Sequence, residues 1–178
     1  VGALGIVRTF QVSAEFPRLT VLQNLLVARP HQHGEQLRGV LRGPRSWARE
    51  EDAAVDRARN LLRRFNLGEL QNEYAGNLSG GQRRLLEVAR ALMASPRLLL
   101  LDEPTAGVHP NMIGELQKQL ILLRDEEGLA MLMIEHELGI VEGVCQRVIV
   151  MARGRVIAEG GLAEVRGMAQ VKEAYVAG

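Results

Sequence analysis

The chain has 178 residues, 47% of them hydrophobic and 24% charged, with a formal net charge of +1, the composition of one globular domain with a sizeable core. A charge this close to zero gives no electrostatic footprint for nucleic acid, and 3% aromatic residues give no base-stacking platform. The single cysteine, Cys145, excludes an internal disulfide and reads as a buried thiol, and no apolar run reaches membrane-span length.

In chain order, Ile6 to Phe10 reads as a short strand with Gln11 at its end, where a plain loop glutamine is the simpler reading. Thr20 reads as the N-cap of a helix whose Val21, Leu22, Leu25 and Leu26 share one face. Residues 30–49 carry glycine and proline without periodicity and read as an exposed insertion; His31 and His33 lack flanking carboxylate or cysteine ligands and read as loop histidines. From Glu50 to Phe65 the apolar residues Ala54, Val55, Ala58, Leu61, Leu62 and Phe65 return to one helical face, ended by Asn66 and Gly68. Leu78-Ser79-Gly80-Gly81-Gln82 follows a polar link. Ser79 with Gln82 three residues on is a capping-box pattern that places Ser79 at a helix start. Gly80 and Gly81 would let a ligand approach the backbone, where free amides and the helix dipole attract an anion. A merely well-capped helix is the alternative, and glycines in the first turn argue against it because they cost helix stability.

Leu98-Leu99-Leu100-Leu101 then reads as a strand buried on both faces of a parallel sheet, delivering Asp102 and Glu103 at its carboxyl end before Pro104 stops it. Open α/β sheets bind ligands there. This is the Walker B arrangement of nucleotide hydrolases, with Asp102 placed to hold Mg²⁺ through its water shell and Glu103 to polarise an attacking water. Taken alone, the acidic pair would also suit strand-end solvation. After the loop Ala106 to His109, Ile113, Leu116, Leu120 and Leu123 mark a helix ending near Gly128. Ala130 to Ile134 reads as another fully buried strand, followed by Glu135-His136-Glu137 and a helix through Leu138, Val141 and Val144. His136, at a strand end beside carboxylates, is either a surface residue or a phosphate sensor. Arg153-Gly154 joins two strands into a β-hairpin, and a small helix around Val171 to Val176 closes the chain.

Together, LSGGQ, LLLLDEPT and IEHE in this order resemble the ATP-binding subunit of ABC transporters over essentially the whole chain. The resemblance implies an α/β, P-loop NTPase-like nucleotide-binding domain: a mostly parallel core sheet, a helical subdomain carrying the signature motif, and a C-terminal β-hairpin. Residues 1–11 would hold a strand and the Q-loop, 12–95 the helical subdomain, and 96–178 the Walker B, D-loop and H-loop parts. It implies a homo- or heterodimer with ATP between two subunits. One subunit would supply Asp102, Glu103, Gln11 and His136, and Ser79, Gly80, Gly81 and Gln82 of the other would cap the γ-phosphate. Glu103 would be the general base, Asp102 and Gln11 would serve Mg²⁺, and His136 would contact the γ-phosphate. The partners implied are transmembrane permease subunits, with the ATPase peripheral on the cytoplasmic face of the membrane and spanning nothing itself. The D-loop departs from the family in ending on His109 rather than Asp or Asn.

Within the family, Gly5-Ile6-Val7-Arg8-Thr9-Phe10-Gln11, Leu19 to Leu25 and Ile134 to Glu137 are similar to the branched-chain amino acid importers, with lipopolysaccharide-export and urea-import ATPases as alternatives. A non-transport ABC ATPase would bring long coiled coils or a second cassette, and neither pattern is present in the sequence. The largest departure is the P-loop, Gly-x-x-x-x-Gly-Lys-Ser/Thr. The two lysines, Lys118 and Lys172, follow no glycine run, and no aromatic A-loop residue is found. In the family these parts precede the Q-loop, so the chain resembles the C-terminal two-thirds of a nucleotide-binding domain. The expectation is that these residues alone neither hydrolyse ATP nor behave as a well-folded monomer but tend to aggregate, and that the strands of Leu100 and Ile134 are left with unpaired edges or bare apolar faces.

Overall fold

A computed structural model describes residues 4–9, 15–29 and 44–176, without the side chains of 44–48 and 175–176. Gln11, His31, His33 and Phe10 lie outside the described residues. The chain divides into two compact units, Val1–Ile134 and Glu135–Gly178.

In the first unit, β1 (Ile6–Arg8), β2 (Leu98–Asp102) and β3 (Ala130–Ile134) form a parallel sheet in the order β1-β2-β3. Among the described residues four α-helices accompany it: α1 (Val21–Val27), α2 (Pro44–Arg64), α3 (Gly80–Met93) and α4 (Pro110–Asp125). Helix α1 starts at Thr20, whose hydroxyl accepts from Gln23 N–H at 3.1 Å while the Gln23 side chain accepts from Thr20 N–H at 2.9 Å, a complete capping box. The expected helix from Glu50 instead begins at Pro44, so residues 44–49 are helical rather than part of an irregular insertion. Proline breaks a helix interior, yet at the first helical position its fixed φ and missing N–H suit the first turn. Its other end is as expected: Asn66 takes a left-handed φ of 55°, and Leu67 N–H returns to Leu62 O at 2.7 Å.

Helices α1, α2 and α3 pack on one another and bury Leu25, Leu62, Phe65 and Leu86. Each such side chain contributes about 1.5–3 kcal/mol on leaving water. Buried Asn24 fastens the approach to α1, its amide bonding to both Phe16 N–H and Phe16 O.

The sheet corrects one expectation. Leu99 and Leu101 are buried, but β3 alternates exposed and half-buried residues rather than being buried throughout. Leu98, Leu100 and Asp102 stand in register with Ala130, Leu132 and Ile134, and on that face Leu132 is 56% and Ile134 61% exposed. On the same face Leu98, Leu100 and Asp102 of β2 are half-buried.

In the second unit, β4 (Val148–Ala152) and β5 (Arg155–Gly160) form the antiparallel hairpin read from the sequence. Arg153 and Gly154, at φ 48° and 75°, turn it as a type I′ loop requires. Helix α5 (Leu138–Val144) precedes it, and α6 (Leu162–Gly167) and α7 (Ala169–Val176) follow. Ala158, Val165 and Val171 are the buried centre of that hairpin and its helices. The sequence reading had the last helix but not α6.

Candidate functional site

Buried Leu101 anchors β2, so the chain delivers Asp102 and Glu103 at the sheet's carboxyl edge at a fixed height. The Asp102 carboxylate accepts from the Arg8 guanidinium at 2.8 Å, with side-chain exposures of 17% for Asp102 and 56% for Arg8. Arg8 is the register partner of Leu100, so it projects from the same sheet face as Asp102. Beside it, Thr9 is buried, and its hydroxyl lies 3.5 Å from Asp102 N–H and 3.4 Å from Leu100 O.

Glu103 leaves the strand in the left-handed region, at φ 45°. For a residue with a Cβ this costs on the order of 1–3 kcal/mol and persists only where surrounding contacts hold it. Three contacts do so. Glu103 N–H donates to Ile134 O at 2.9 Å, and Glu103 O accepts from Ala106 N–H at 3.0 Å and from the Arg84 guanidinium at 3.1 Å. Arg84 reaches it from α3, where it pairs with Glu87 at 2.5 Å with both side chains less than a tenth exposed.

The start of α3 is as read. Ser79 Oγ accepts from Gln82 N–H at 3.3 Å, and Gln82 Oε1 accepts from Ser79 N–H at 2.9 Å. The glycines have a further use that spacing alone did not show. A Cβ on Gly80 would lie 3.0 Å from Gly107 O, and one on Gly81 would lie 2.6 Å from Met112 Sδ. They admit the chain's own loop and α4 close to the helix start. That loop, Ala106 to His109, ends with His109 as the N-cap of α4, its Nδ1 accepting from Asn111 N–H at 3.4 Å.

His136 belongs to the second unit. Its imidazole is 75% exposed, with Nδ1 4.0 Å from the buried carboxylate of Glu135, which also accepts from His136 N–H at 3.1 Å. Ile134, the register partner of Asp102, stands two residues before it in the chain. Of the candidate residues, Asp102, Glu103 and Ser79 to Gln82 lie in the first unit, and Gln11 is outside the described residues. Among the described residues no three His, Cys, Asp or Glu side chains form a metal-holding group. A lone carboxylate at a strand end fits Mg²⁺, which keeps most of its waters and is held by one or two carboxylates plus substrate phosphates.

Sequence reasoning missed Arg8 and Arg84. The available signal for Arg84 was a charged pair, Arg84 and Glu87, on a helix stretch otherwise filled by Leu85, Leu86, Val88 and Ala89.

The sequence model of the ABC transporter family matches residues 3–106. The probable branched-chain amino acid transport ATP-binding protein LivG of Archaeoglobus fulgidus is 40% identical over 176 residues, covering 99% of this chain and 67% of that protein. The high-affinity branched-chain amino acid transport ATP-binding protein LivG of Escherichia coli K12 is 38% identical over 177 residues, covering 99% of this chain and 69% of that protein. Among solved structures, the ADP conformation of MJ1267, an ATP-binding cassette of an ABC transporter, superposes with a TM-score of 0.77 at 34% identity, covering 99% of this chain and 70% of that one. On the order of its motifs, its parallel sheet and these likenesses, the chain belongs to the ABC transporter family, in its ATP-binding domain.

Proposed function

We propose that this chain is part of the ATP-hydrolysing subunit of an importer of branched-chain amino acids. The observation that carries the reading is the end of β2, where Asp102 and a backbone-pinned Glu103 sit at the edge used for phosphoryl chemistry. Glu103 is the general base on the attacking water. Asp102, released from Arg8, would hold Mg²⁺ with help from Gln11. Mg²⁺ supplies charge neutralisation on the phosphates. His136 contacts the γ-phosphate. Ser79, Gly80, Gly81 and Gln82 present a helix start to the γ-phosphate of ATP held by a second subunit.

The functional unit is a dimer on the cytoplasmic face of the membrane, docked on transmembrane permease subunits. No helix among the described residues is long and apolar enough to cross a membrane. Residues 12–95 are the helical subdomain, whose segment 12–28 meets the permease, between the Q-loop part (1–11) and the Walker B to H-loop part (96–178). The P-loop amides and lysine that cradle the β- and γ-phosphates are not among these 178 residues, so the chain by itself does not hydrolyse ATP.

The test is ATP-driven uptake by vesicles holding the full-length subunit, one that carries a P-loop, with its permease and binding protein. Labelled leucine, isoleucine and valine should accumulate and compete with one another. Accumulation of urea instead, or lipopolysaccharide extraction, would contradict the importer assignment.

A further inference from the structure

The buried Arg84–Glu87 pair has no role in the chemistry described above, and its stability value is doubtful on physical grounds. Removing two charges from water costs as much as or more than their attraction returns, so apolar side chains of similar volume often serve a core as well or better. Here both side chains are less than a tenth exposed, 2.5 Å apart and surrounded on α3 by Leu85, Leu86 and Val88. The second end of the guanidinium shows what the pair does. Arg84 donates to the backbone carbonyl of Glu103 at 3.1 Å, across 19 residues of sequence. That carbonyl belongs to a residue at φ 45°, a conformation that a side-chain-bearing residue rarely adopts unaided. Glu87 fixes the guanidinium, the guanidinium fixes the carbonyl, and the carbonyl fixes the direction in which the Glu103 side chain leaves the backbone.

We infer that Arg84, oriented by Glu87, is a positioning residue for Glu103, linking the helix that begins at Ser79 to the base. The inference rests on the reading of Glu103 as general base. Because α3 carries the phosphate-capping residues at its start and Arg84 two residues beyond Gln82, a shift of this helix on engaging the partner subunit's ATP is passed directly to the Glu103 backbone. Catalytic geometry tolerates little displacement, so the link makes hydrolysis depend on the seating of α3.

The test replaces the pair by apolar residues, Arg84→Met with Glu87→Leu, in a full-length subunit that carries the P-loop. Steady-state kinetics, thermal melting and single-turnover hydrolysis are measured in the wild-type and Glu103→Gln backgrounds. The expected result is a fall in kcat of about 10- to 100-fold, an ATP KM within about twofold, and an unchanged or higher melting temperature. In the Glu103→Gln background the pair should cause little further loss, because a misplaced base and an absent base are equivalent. Arg84→Lys with Glu87 retained, which keeps the charge and a donor, should recover part of the rate. Unchanged kcat in the double variant while Glu103→Gln is slow would overturn the inference. So would a full multiplicative loss in the Glu103→Gln background. If the double variant melts low, Arg84→Lys decides: a native melting temperature with reduced kcat supports positioning, and a native rate overturns it. Undiminished turnover of Glu103→Gln would instead overturn the base assignment, an outcome distinct from failure of the Arg84 link.

Discussion

At the end of β2 the Asp102 carboxylate is held by Arg8, and the Glu103 backbone carbonyl by Arg84. An ion pair whose arginine is 56% exposed contributes at most about 1 kcal/mol, so a divalent cation displaces it at small cost. Arg8→Ala removes both the competitor and a like charge beside the ion. The Mg²⁺ concentration for half-saturation should fall by about two- to fivefold, read by Mn²⁺ paramagnetic resonance or calorimetry on the ADP-loaded full-length subunit. An unchanged or higher half-saturation would contradict the exchange of Arg8 for metal. Legibility divides at this scale by sequence distance. Ser79, Gln82, Asp102 and Glu103 could be read because a cap is satisfied within three residues and a strand end is a local pattern. Arg8 could not, because its partner stands 94 residues away, and Arg84 could not, because it answers a backbone carbonyl that no residue type announces. The roles given to Gln11, which lies outside the described residues, and to His136 rest on the resemblance alone.

Among the elements, α3 and α4 are in contact, and Gly81 in the first turn of α3 leaves room for Met112 of α4. Alanine is the better helix former by about 0.8–1 kcal/mol, but its Cβ would stand 2.6 Å from Met112 Sδ. Overpacking of this kind costs about 1–3 kcal/mol, which meets or exceeds that gain unless the flexible Met112 side chain turns away. Gly81→Ala is expected to lower the melting temperature, and Met112→Ala in the same protein to restore part of it. A Gly81→Ala protein that melts at or above the parent temperature would show that Met112 yields freely. The same competition between local rule and packing explains what the sequence could and could not tell of the elements. The hairpin at Arg153-Gly154 and the end of α2 at Asn66 were legible because left-handed residues mark them. The start of α2 at Pro44 was not, since proline both breaks a helix and opens one. Leu98 to Leu101 and Ala130 to Ile134 were recognisable as strands from their apolar runs, yet burial of both faces depends on what lies across them, and a run does not encode that.

The first unit carries two more than half-exposed apolar residues, Leu132 and Ile134, on its sheet, near the acids proposed to act on ATP. Without P-loop amides, the Ser79 helix start is a phosphate contact proposed among the described residues. One charge-assisted contact of about 1.5–3 kcal/mol does not offset the entropy of association. Calorimetry on these 178 residues with Mg-ATP should therefore show no sub-millimolar binding; a sub-millimolar isotherm would mean that another part of the chain cradles the phosphates. The central claim, that Glu103 is the base of an ABC ATPase, is tested most directly in the full-length subunit. Glu103→Gln keeps size and hydrogen bonding and removes the base. ATP turnover should fall by about two or more orders of magnitude while ATP still binds and accumulates, unhydrolysed, in a stable dimer. Turnover at the parent rate, with no trapped nucleotide, would contradict the account.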